Sequence, residues 1–356
     1  MKKLLCAVMS AAVLVSLSAC GEKTKNDRAD VHVFYYTYSD TYISNVRASL
    51  DRELSSAGIS YQDYDGNGNQ TTQTEQVQTA VTKGAKVIAV NIVNTGSDDA
   101  AEGIISIAKT AGIPVVFFNR EVSDNIVNSY DKCAFVGTDA AEAGHMQGEM
   151  IGEYVAKNFD AVDKNKDGKI SYILFKGEEG NNEAIYRTQY AIEDADKVLK
   201  EEGKPALSFY DGSNPNKYLV DKNGQWSAAA ANEYMTTALT SYNEANNNMI
   251  ELVICNNDGM AEGAVTALNT AGYNLGSESK SIPVFGVDAT DAAKSLIADK
   301  KMTGTIKQDA EGMAKTIMTL SKNTIDGKDL LEGTEKLNID KNAAKIRIAY
   351  SKYLGE

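Results

Sequence analysis

Short apolar runs alternate with amphipathic stretches from Val31 to the end of the chain, and this alternation limits the possible folds more than any other feature of the sequence. Most runs are nearly continuous series of β-branched and aliphatic residues, as expected for strands with both faces buried. Strand–helix alternation over 356 residues predicts an α/β protein with two domains and parallel sheets. The predicted strands are 31–38, 59–64, 87–93, 114–119 and 133–137, then 170–176, 207–211, 251–256, 283–287 and 302–306.

The first twenty residues have the pattern of an export signal. Two lysines precede an apolar stretch that ends at Leu17, and small residues surround the bond before Cys20. The stretch is too short, and too quickly followed by polar residues, for a membrane span. We expect residues 1–19 to be a signal peptide and residues 20–30 to be a polar tether. The sequence from Leu17 to Cys20 resembles a bacterial lipobox, which predicts a lipid anchor on Cys20; ordinary cleavage without lipidation is the alternative.

Polar residues follow the predicted strands at six places, in both series. In open parallel sheets, ligands bind beyond the carboxyl ends of the strands. Each of these residues can instead cap the following helix. Because the pattern recurs in both halves of the chain, a shared crevice is the better interpretation. The six clusters are Tyr38–Asp40, Asn119–Glu121, Lys176–Glu178, Asn256–Asp258, Val287–Asp288 and Gln308–Asp309.

One loop in the second half has the spacing of a calcium-binding loop. The bidentate glutamate expected at its twelfth position is missing, because Leu174 stands there. A strand follows the loop where such motifs usually continue into a helix. A carboxylate from elsewhere is therefore needed, and a hydrated acidic turn without calcium is the alternative. The loop donors are Asp163, Asn165, Asp167, the Lys169 carbonyl and Ser171, with Gly168 at the turn.

Charge and motifs argue against a nucleic-acid-binding protein and against most enzymes. The net charge is −13, and the sequence contains no basic patch. The two histidines, His32 and His145, do not neighbour a nucleophile motif, and the chain has neither a P-loop nor a G-x-G-x-x-G turn before a helix. A glycosidase, which needs only paired carboxylates, is the enzyme that these observations leave open.

The polar residues favour sugar binding over glycoside hydrolysis. Asp40, Glu183 and Asp288 occur among amides and an arginine. This mixture both donates to and accepts from ring hydroxyls. Tyr42 and Trp226, the only tryptophan, are candidates to face the apolar side of a sugar ring.

Seven stretches, spread over essentially the whole chain beyond the signal, are similar to one known family. They resemble the periplasmic galactose/glucose-binding proteins, which are receptors of sugar ABC importers. The resemblance implies a type I periplasmic binding protein fold, with two Rossmann-like lobes joined by three hinge crossovers. It also implies a monosaccharide receptor with no enzymatic activity. The stretches are Tyr38-Ser-Asp-Thr-Tyr42, Pro114-Val-Val-Phe-Phe-Asn-Arg-Glu121, Ser129-Tyr-Asp-Lys132, Val136-Gly-Thr-Asp139, Lys176-Gly-Glu178, Asn256-Asn-Asp-Gly-Met-Ala261 and Pro283-Val-Phe-Gly-Val-Asp-Ala289.

The resemblance implies a set of sugar-binding residues. Arg187 would be a fixed fork of donors, and Asp40 and Asp288 would be bidentate acceptors. Tyr42 and Trp226 would sandwich the ring. The full implied set is Asp40, Tyr42, Asn119, Asn181, Glu183, Arg187, Trp226, Asn257, Asp288 and Gln308.

Three of these positions depart from the family pattern. Asn181 stands where the family has a histidine, Glu183 where it has an aspartate, and Gln308 where it has an asparagine. Each substitution keeps polarity but changes length or shape, and a hydrogen bond tolerates little displacement. Galactose or glucose is the expected ligand, and another sugar, such as a pentose or an autoinducer, is the alternative.

The resemblance also implies structural Ca²⁺ in the second lobe. In the family a distant glutamate just before a strand completes the site, and here that residue is Glu251. It would compensate for Leu174. Ser171 is shorter than the amide that the family usually has at the ninth position.

The family architecture gives expected lobe boundaries and partners. The closed receptor would dock, as a monomer, on a membrane permease, with a chemoreceptor as a second candidate partner. It would lie on the outer face of the cytoplasmic membrane or in the periplasm, with no nucleic-acid partner. A sugar-responsive repressor shares the two-lobe core but begins with a helix-turn-helix, where this chain has an export signal. The expected lobes are 31–137 with 311–342, and 138–310 with 343–356, with crossovers near 137–139, 307–311 and 342–345.

Overall fold

The structure is a computed structural model that describes residues 29–277 and 279–355. The predicted signal peptide, the predicted lipidation site Cys20 and most of the predicted tether lie outside the described residues. Across the described part of the chain, no helix is both long enough and apolar enough to cross a membrane.

Strands and helices alternate through the described chain. In chain order, the strands are β1 (Val31–Tyr35), β2 (Tyr61–Asp65), β3 (Val87–Val90), β4 (Val115–Phe118), β5 (Cys133–Gly137), β6 (Ser171–Lys176), β7 (Ser208–Phe209), β8 (Leu219–Val220), β9 (Leu252–Cys255), β10 (Val284–Asp288), β11 (Gly304–Gln308), β12 (Asn338–Ile339), β13 (Lys345–Arg347) and β14 (Tyr350–Tyr353). The helices are α1 (Thr41–Ser56), α2 (Gln70–Thr82), α3 (Asp99–Ala111), α4 (Asp124–Asn128), α5 (Ala140–Val162), α6 (Asn182–Glu201), α7 (Ala228–Leu239), α8 (Asp258–Thr270), α9 (Asp291–Ala298) and α10 (Ala310–Ile325).

The strands form two separate sheets, one in each lobe. The first sheet has the order β12-β13-β5-β4-β3-β1-β2, and the second has the order β14-β11-β10-β9-β6-β7, with β8 also paired to β6. The pairs are parallel except β12 with β13 and β11 with β14. Parallel neighbours need crossover connections, and the intervening helices provide them.

Both faces of each sheet are buried, as the apolar runs predict. In β4, Val116 and Phe118 pack into one apolar cluster, whereas Val115 and Phe117 pack into the cluster on the opposite face. All four side chains are fully buried. Alternate side chains of a strand point to opposite faces, so a continuous apolar run packs against the helix layers on both faces of the sheet.

Within the described residues the chain crosses between the lobes three times, and one predicted crossover is wrong. The first crossing follows Gly137 and the second follows Gln308. The third was expected near 342–345, but Lys345–Arg347 pairs with β5 in the first sheet. Backbone pairing of β13 therefore keeps residues 343–347 in the first lobe, and the chain crosses only before Tyr350, where β14 joins the second sheet.

Candidate ligand-binding site

The carboxyl ends of the central strands in both sheets face one cavity between the lobes. About 360 Å³ of space, part of it open to solvent, lies between the walls of this cavity. All ten residues of the predicted sugar-binding set line it. The lining consists of Tyr36, Asp40, Tyr42, Ile43, Asn119, Arg120, Asn181, Glu183, Arg187, Trp226, Asn257, Asp288 and Gln308.

Asp40 is held on the first lobe by two hydrogen bonds. Its Oδ1 accepts the backbone N–H of Ile43 at 2.8 Å, which caps α1. Its Oδ2 accepts the hydroxyl of Tyr36 at 2.6 Å. Asp40 is therefore both a helix cap and a cavity residue, and its carboxylate is oriented before any ligand arrives.

Asn119 lies on the same wall in a left-handed conformation with φ 60°. Its Oδ1 accepts a hydrogen bond from Asn91 at 3.1 Å, and Asn91 is itself fully buried. Asparagine tolerates this backbone region better than most residues do. This turn places Asn119, which follows β4, in the lining of the cavity.

Asp288 occupies a strained turn at the end of β10. Its φ is 129°, and that of Ala289 is 54°, so two consecutive residues other than glycine have positive φ. Burial raises the pKa of Asp288 well above its usual value; Arg187 opposes this shift, whereas Asp258 and Asp40 add to it. The fold buries this carboxyl group although its charged form is more stable in water.

Arg187 is the central donor of the second lobe. Its guanidinium donates to the carbonyl of Asn256 at 2.9 Å, to Gln308 Oε1 at 3.3 Å and to the Tyr350 hydroxyl at 3.0 Å. Among the described residues its Nε has no hydrogen-bond partner, although the side chain is buried. The guanidinium is fixed in place and keeps its Nε–H for a ligand.

Several other buried polar atoms of the lining also lack hydrogen-bond partners in the part of the chain that the structure describes. These atoms are both carboxylate oxygens of Glu183, Nε2 of Gln308 and Nε of Arg120. Burial raises the pKa of Glu183, with Arg187 acting against it. Buried polar groups are normally hydrogen-bonded, because leaving one unpaired costs about 1–3 kcal/mol. The cavity therefore contains both unpaired donors and unpaired acceptors, and a ligand that carries both kinds of group can pair with them.

Two aromatic residues provide apolar surface among these polar groups. Trp226 is 7% exposed and has φ 54°. It packs directly on Gly177, where an added Cβ would lie only 2.1 Å from the indole ring. Tyr42 is also buried, and its hydroxyl contacts the sulfur of Met313 at 3.9 Å. Both rings are held by packing.

Asn181 and Asn257 are helix caps that also line the cavity. The Oδ1 of Asn181 accepts the N–H of Ala184, and the Oδ1 of Asn257 accepts that of Met260. The Nδ2 of Asn257 donates to the carbonyl of Trp226 at 3.3 Å. The cap and site interpretations of these strand-end residues are thus compatible.

Three lining residues were not in the predicted set. Arg120 belongs to the strand-end cluster Asn119–Glu121, and Tyr36 lies two residues before the cluster Tyr38–Asp40, so position offered a signal for both. Ile43 is an apolar residue in the first turn of α1 and offered none. Arg120 reaches Glu178 of the other lobe at 2.7 Å, so the two lobes are in contact across the cavity mouth.

The predicted calcium loop folds around Glu251, which is fully buried. Its carboxylate accepts the backbone N–H groups of Lys164 at 2.6 Å, Asn165 at 3.2 Å and Ser171 at 3.1 Å. Asp163 accepts the N–H groups of the turn. Glu251 is thus brought to the loop as predicted, and its oxygens are of the type that calcium prefers.

The loop is not arranged as a complete metal centre. Within residues 29–277 and 279–355, no three histidine, cysteine or carboxylate side chains converge as metal ligands. The carboxylate of Glu251 accepts three backbone N–H groups, two on Oε1 and one on Oε2, so Oε2 keeps a lone pair that could contact an ion. The donor chemistry fits calcium, and the carboxylates of Glu251 and Asp163 also hold the loop through bonds to backbone N–H groups.

The comparisons with known proteins agree with this geometry. A family model described as a periplasmic binding protein domain matches residues 31–329. The D-galactose/methyl-galactoside binding periplasmic protein of Haemophilus influenzae is 36% identical over 320 residues, or 89% of this chain and 88% of that protein. A solute-binding protein of an ABC transporter from Bacillus halodurans, solved with myo-inositol, has a TM-score of 0.67 at 22% identity, covering 92% of this chain and 94% of that chain. One from Clostridium phytofermentans, solved with β-D-glucose, has a TM-score of 0.69 at 19% identity, covering 91% and 93%.

These similarities confirm the predicted type I periplasmic binding protein fold. They also confirm the prediction of a receptor in place of an enzyme, since the matching family consists of binding proteins. The chain belongs to the periplasmic binding protein family, as its resemblance to the galactose/glucose-binding members predicted.

Proposed function

We propose that the protein is an extracytoplasmic receptor for a neutral monosaccharide, galactose or glucose, which it delivers to the permease of an ABC importer. The observation that carries this proposal is the set of buried, unpartnered polar atoms on Glu183, Arg187 and Gln308. They offer acceptors and donors inside the cavity between the lobes. A sugar hydroxyl both donates and accepts, so one small polyol can satisfy all of them.

The aromatic residues support a ring-shaped ligand. Trp226 and Tyr42 line the same cavity and are held by packing. A pyranose presents an apolar C–H face to an aromatic ring and a polar edge to carboxylates and guanidinium groups. Asp40 and Asp288 would accept hydrogen bonds from hydroxyl groups at that edge, and Arg187 would donate a hydrogen bond to a ring or hydroxyl oxygen.

The choice between sugars depends on the residues that depart from the family. Glu183 and Gln308 are one methylene longer than the expected aspartate and asparagine, and both line the cavity. Asp40, which would contact the hydroxyl at which glucose and galactose differ, is retained. The relative from Haemophilus influenzae carries galactose and methyl-galactoside in its name. These points favour a hexose over a pentose or an autoinducer.

Calorimetry with a panel of monosaccharides tests this function. We expect galactose or glucose to bind with a dissociation constant in the micromolar range or below, and pentoses to bind more weakly. If neither hexose binds, the specific proposal fails. If no sugar or polyol of the panel binds, the receptor proposal itself fails.

We further propose that the receptor is exported and anchored through Cys20, and that the Glu251 loop holds structural calcium. The lipobox-like sequence supports the first point. The oxygen-bearing residues of the loop, and the contact of the Glu251 carboxylate with the loop backbone, support the second. Replacement of Cys20 by serine should move the protein from the membrane fraction to the soluble fraction; an unchanged distribution would refute lipid anchoring.

A further inference from the structure

Arg120 and Glu178 form an ion pair that crosses the mouth of the cavity. Arg120 follows β4 of the first lobe, and Glu178 follows β6 of the second lobe. The guanidinium Nη2 lies 2.7 Å from the Glu178 carboxylate, and the two side chains are 5% and 23% exposed. A pair this well shielded from water is screened far less than ion pairs on the surface.

On the first lobe, Arg120 is part of the wall that carries Asp40. The same Nη2 donates to the carbonyl of Val93 at 2.9 Å. The guanidinium stacks on the ring of Tyr36 at 4.4 Å, and the Tyr36 hydroxyl donates to Asp40 at 2.6 Å. Contacts within the first lobe therefore hold Arg120 in position independently of Glu178.

On the second lobe, Glu178 is joined to the aromatic wall. Its Oε2 accepts from Nε1 of Trp226 at 3.4 Å as well as from Arg120. Trp226 in turn packs on Gly177, the residue before Glu178. One carboxylate oxygen thus connects the indole of one wall to the guanidinium of the other.

A second contact across the cavity, from Asn181 Nδ2 to Thr95 Oγ1, is neutral and 3.4 Å long. It offers a weaker constraint than a charge-assisted bond of 2.7 Å. Opening the cleft would separate both contacts, because each joins a residue of one lobe to a residue of the other. Only the closed form benefits from them.

We infer that the Arg120–Glu178 pair is a latch, which stabilises the closed receptor and positions the Asp40 and Trp226 walls against the ligand. This inference rests on the proposed sugar-binding function. A contact that exists only in the closed state shifts the equilibrium toward that state and raises the apparent affinity. It slows release, since the cleft must open before the sugar leaves.

The test combines Glu178→Gln, Arg120→Met and the double variant with the unaltered protein and the preferred sugar of the panel. Calorimetry gives the dissociation constant, stopped-flow fluorescence of Trp226 gives the rates, and small-angle X-ray scattering reports closure. We expect Glu178→Gln to raise the dissociation constant about tenfold, mainly through faster release. The radius of gyration at subsaturating sugar should rise as well.

The double variant separates a latch from independent contacts. If the pair acts as one unit, Glu178→Gln should have almost no further effect once Arg120 is methionine. If Arg120 also contacts the sugar directly, Arg120→Met should lower the affinity further. Glu178→Gln should still have almost no effect in the Arg120→Met background. Glu332→Gln, which removes an exposed ion pair with Lys328 inside one lobe, is the matched control.

The outcomes distinguish the two proposals. Tight sugar binding with equal release rates and equal closure in all variants would overturn the latch alone, as would fully additive losses. Absence of binding by the unaltered protein would overturn the proposed function and the latch with it. Thermal unfolding of the variants without sugar tests whether they fold correctly. Their melting temperatures should match that of the unaltered protein.

Discussion

The carboxylate of Asp258 accepts the backbone N–H of Thr290 at 2.8 Å and thereby fixes the turn that carries Asp288. Its other oxygen accepts the hydroxyl of Thr305 at 2.6 Å. Asp258 is fully buried, and a Cβ on the neighbouring Gly286 would lie 2.3 Å from its Oδ1. A residue outside the cavity thus holds a strained cavity residue in place.

Replacing Asp258 by asparagine should weaken sugar binding about tenfold, because one amide cannot accept from all the donors of the turn and a buried donor left unpaired is costly. Calorimetry with the preferred sugar measures the loss. Glu262→Gln is the control, since Glu262 only accepts from the Thr290 hydroxyl at 3.4 Å. Equal losses in both variants would contradict a specific positioning role for Asp258.

Asp258 should also make stability depend on pH. Burial raises its pKa to about 7; hydrogen bonds from Thr305 and Thr290 oppose the shift, and Glu262 adds to it. An unfolded aspartate releases its proton near pH 4, so between about pH 4 and 7 the folded state binds more protons. The contribution of Asp258 to the free energy of unfolding therefore decreases as pH rises through this window.

Urea unfolding at a series of pH values measures this dependence. The unaltered protein should lose stability from about pH 4 to 7 through this group and show no further effect of it above pH 7. Asp258→Asn should not show this loss. The difference in the free energy of unfolding between the unaltered protein and Asp258→Asn should therefore decrease as pH rises across this window. A difference that does not change across the window would show that Asp258 is ionised throughout.

Trp226 should contribute strongly to sugar affinity. Trp226→Ala removes a buried aromatic face from the cavity, and we expect affinity to fall about a hundredfold. Trp226→Phe keeps an aromatic face but loses the Nε1 bond to Glu178, so its loss should be smaller. Titration calorimetry of both variants measures the two contributions. Unchanged affinity in Trp226→Ala would rule out stacking on the ligand.

Much of the site was predictable because it follows from strand order. Asn119 directly follows β4, Asp288 is the last residue of β10, and Asp40 lies in the connection between β1 and α1. The carboxyl ends of parallel strands meet at one edge of a sheet. The contact between Arg120 and Glu178 was not predictable in this way, since it depends on how two separate sheets approach each other. The third crossover was misplaced for a similar reason: the pairing of Lys345–Arg347 with β5 depends on contacts that no local pattern records.

Glu183 should help to determine which sugar is preferred. Within residues 29–277 and 279–355 its two oxygens have no hydrogen-bond partner, and the residue lines the cavity. Glu183→Asp withdraws the acceptor by one methylene, more than a hydrogen bond tolerates, so affinity for the preferred sugar should fall about tenfold. Binding of the same sugar panel by calorimetry measures the change. If the order and strength of binding stay the same, Glu183 does not contact the ligand.

Calcium should raise the melting temperature of the unaltered protein if the Glu251 loop binds it, because an ion bound only to the folded state stabilises that state by mass action. Glu251 also accepts three backbone N–H bonds that do not involve an ion. Glu251→Gln should therefore lower the melting temperature even in chelator, by the loss of a buried acceptor. The informative quantity is the increase on adding calcium, measured by calorimetric melting with and without chelator.

That increase should be present in the unaltered protein and absent in both Glu251→Gln and Asp163→Asn. Glu332→Gln, whose exposed ion pair lies in the other lobe, should retain it in full. An unaltered protein whose melting temperature is the same in calcium and in chelator would refute the calcium site. The loop would then be the hydrated acidic turn that the sequence left as the alternative, held by hydrogen bonds from its backbone to the carboxylates of Glu251 and Asp163.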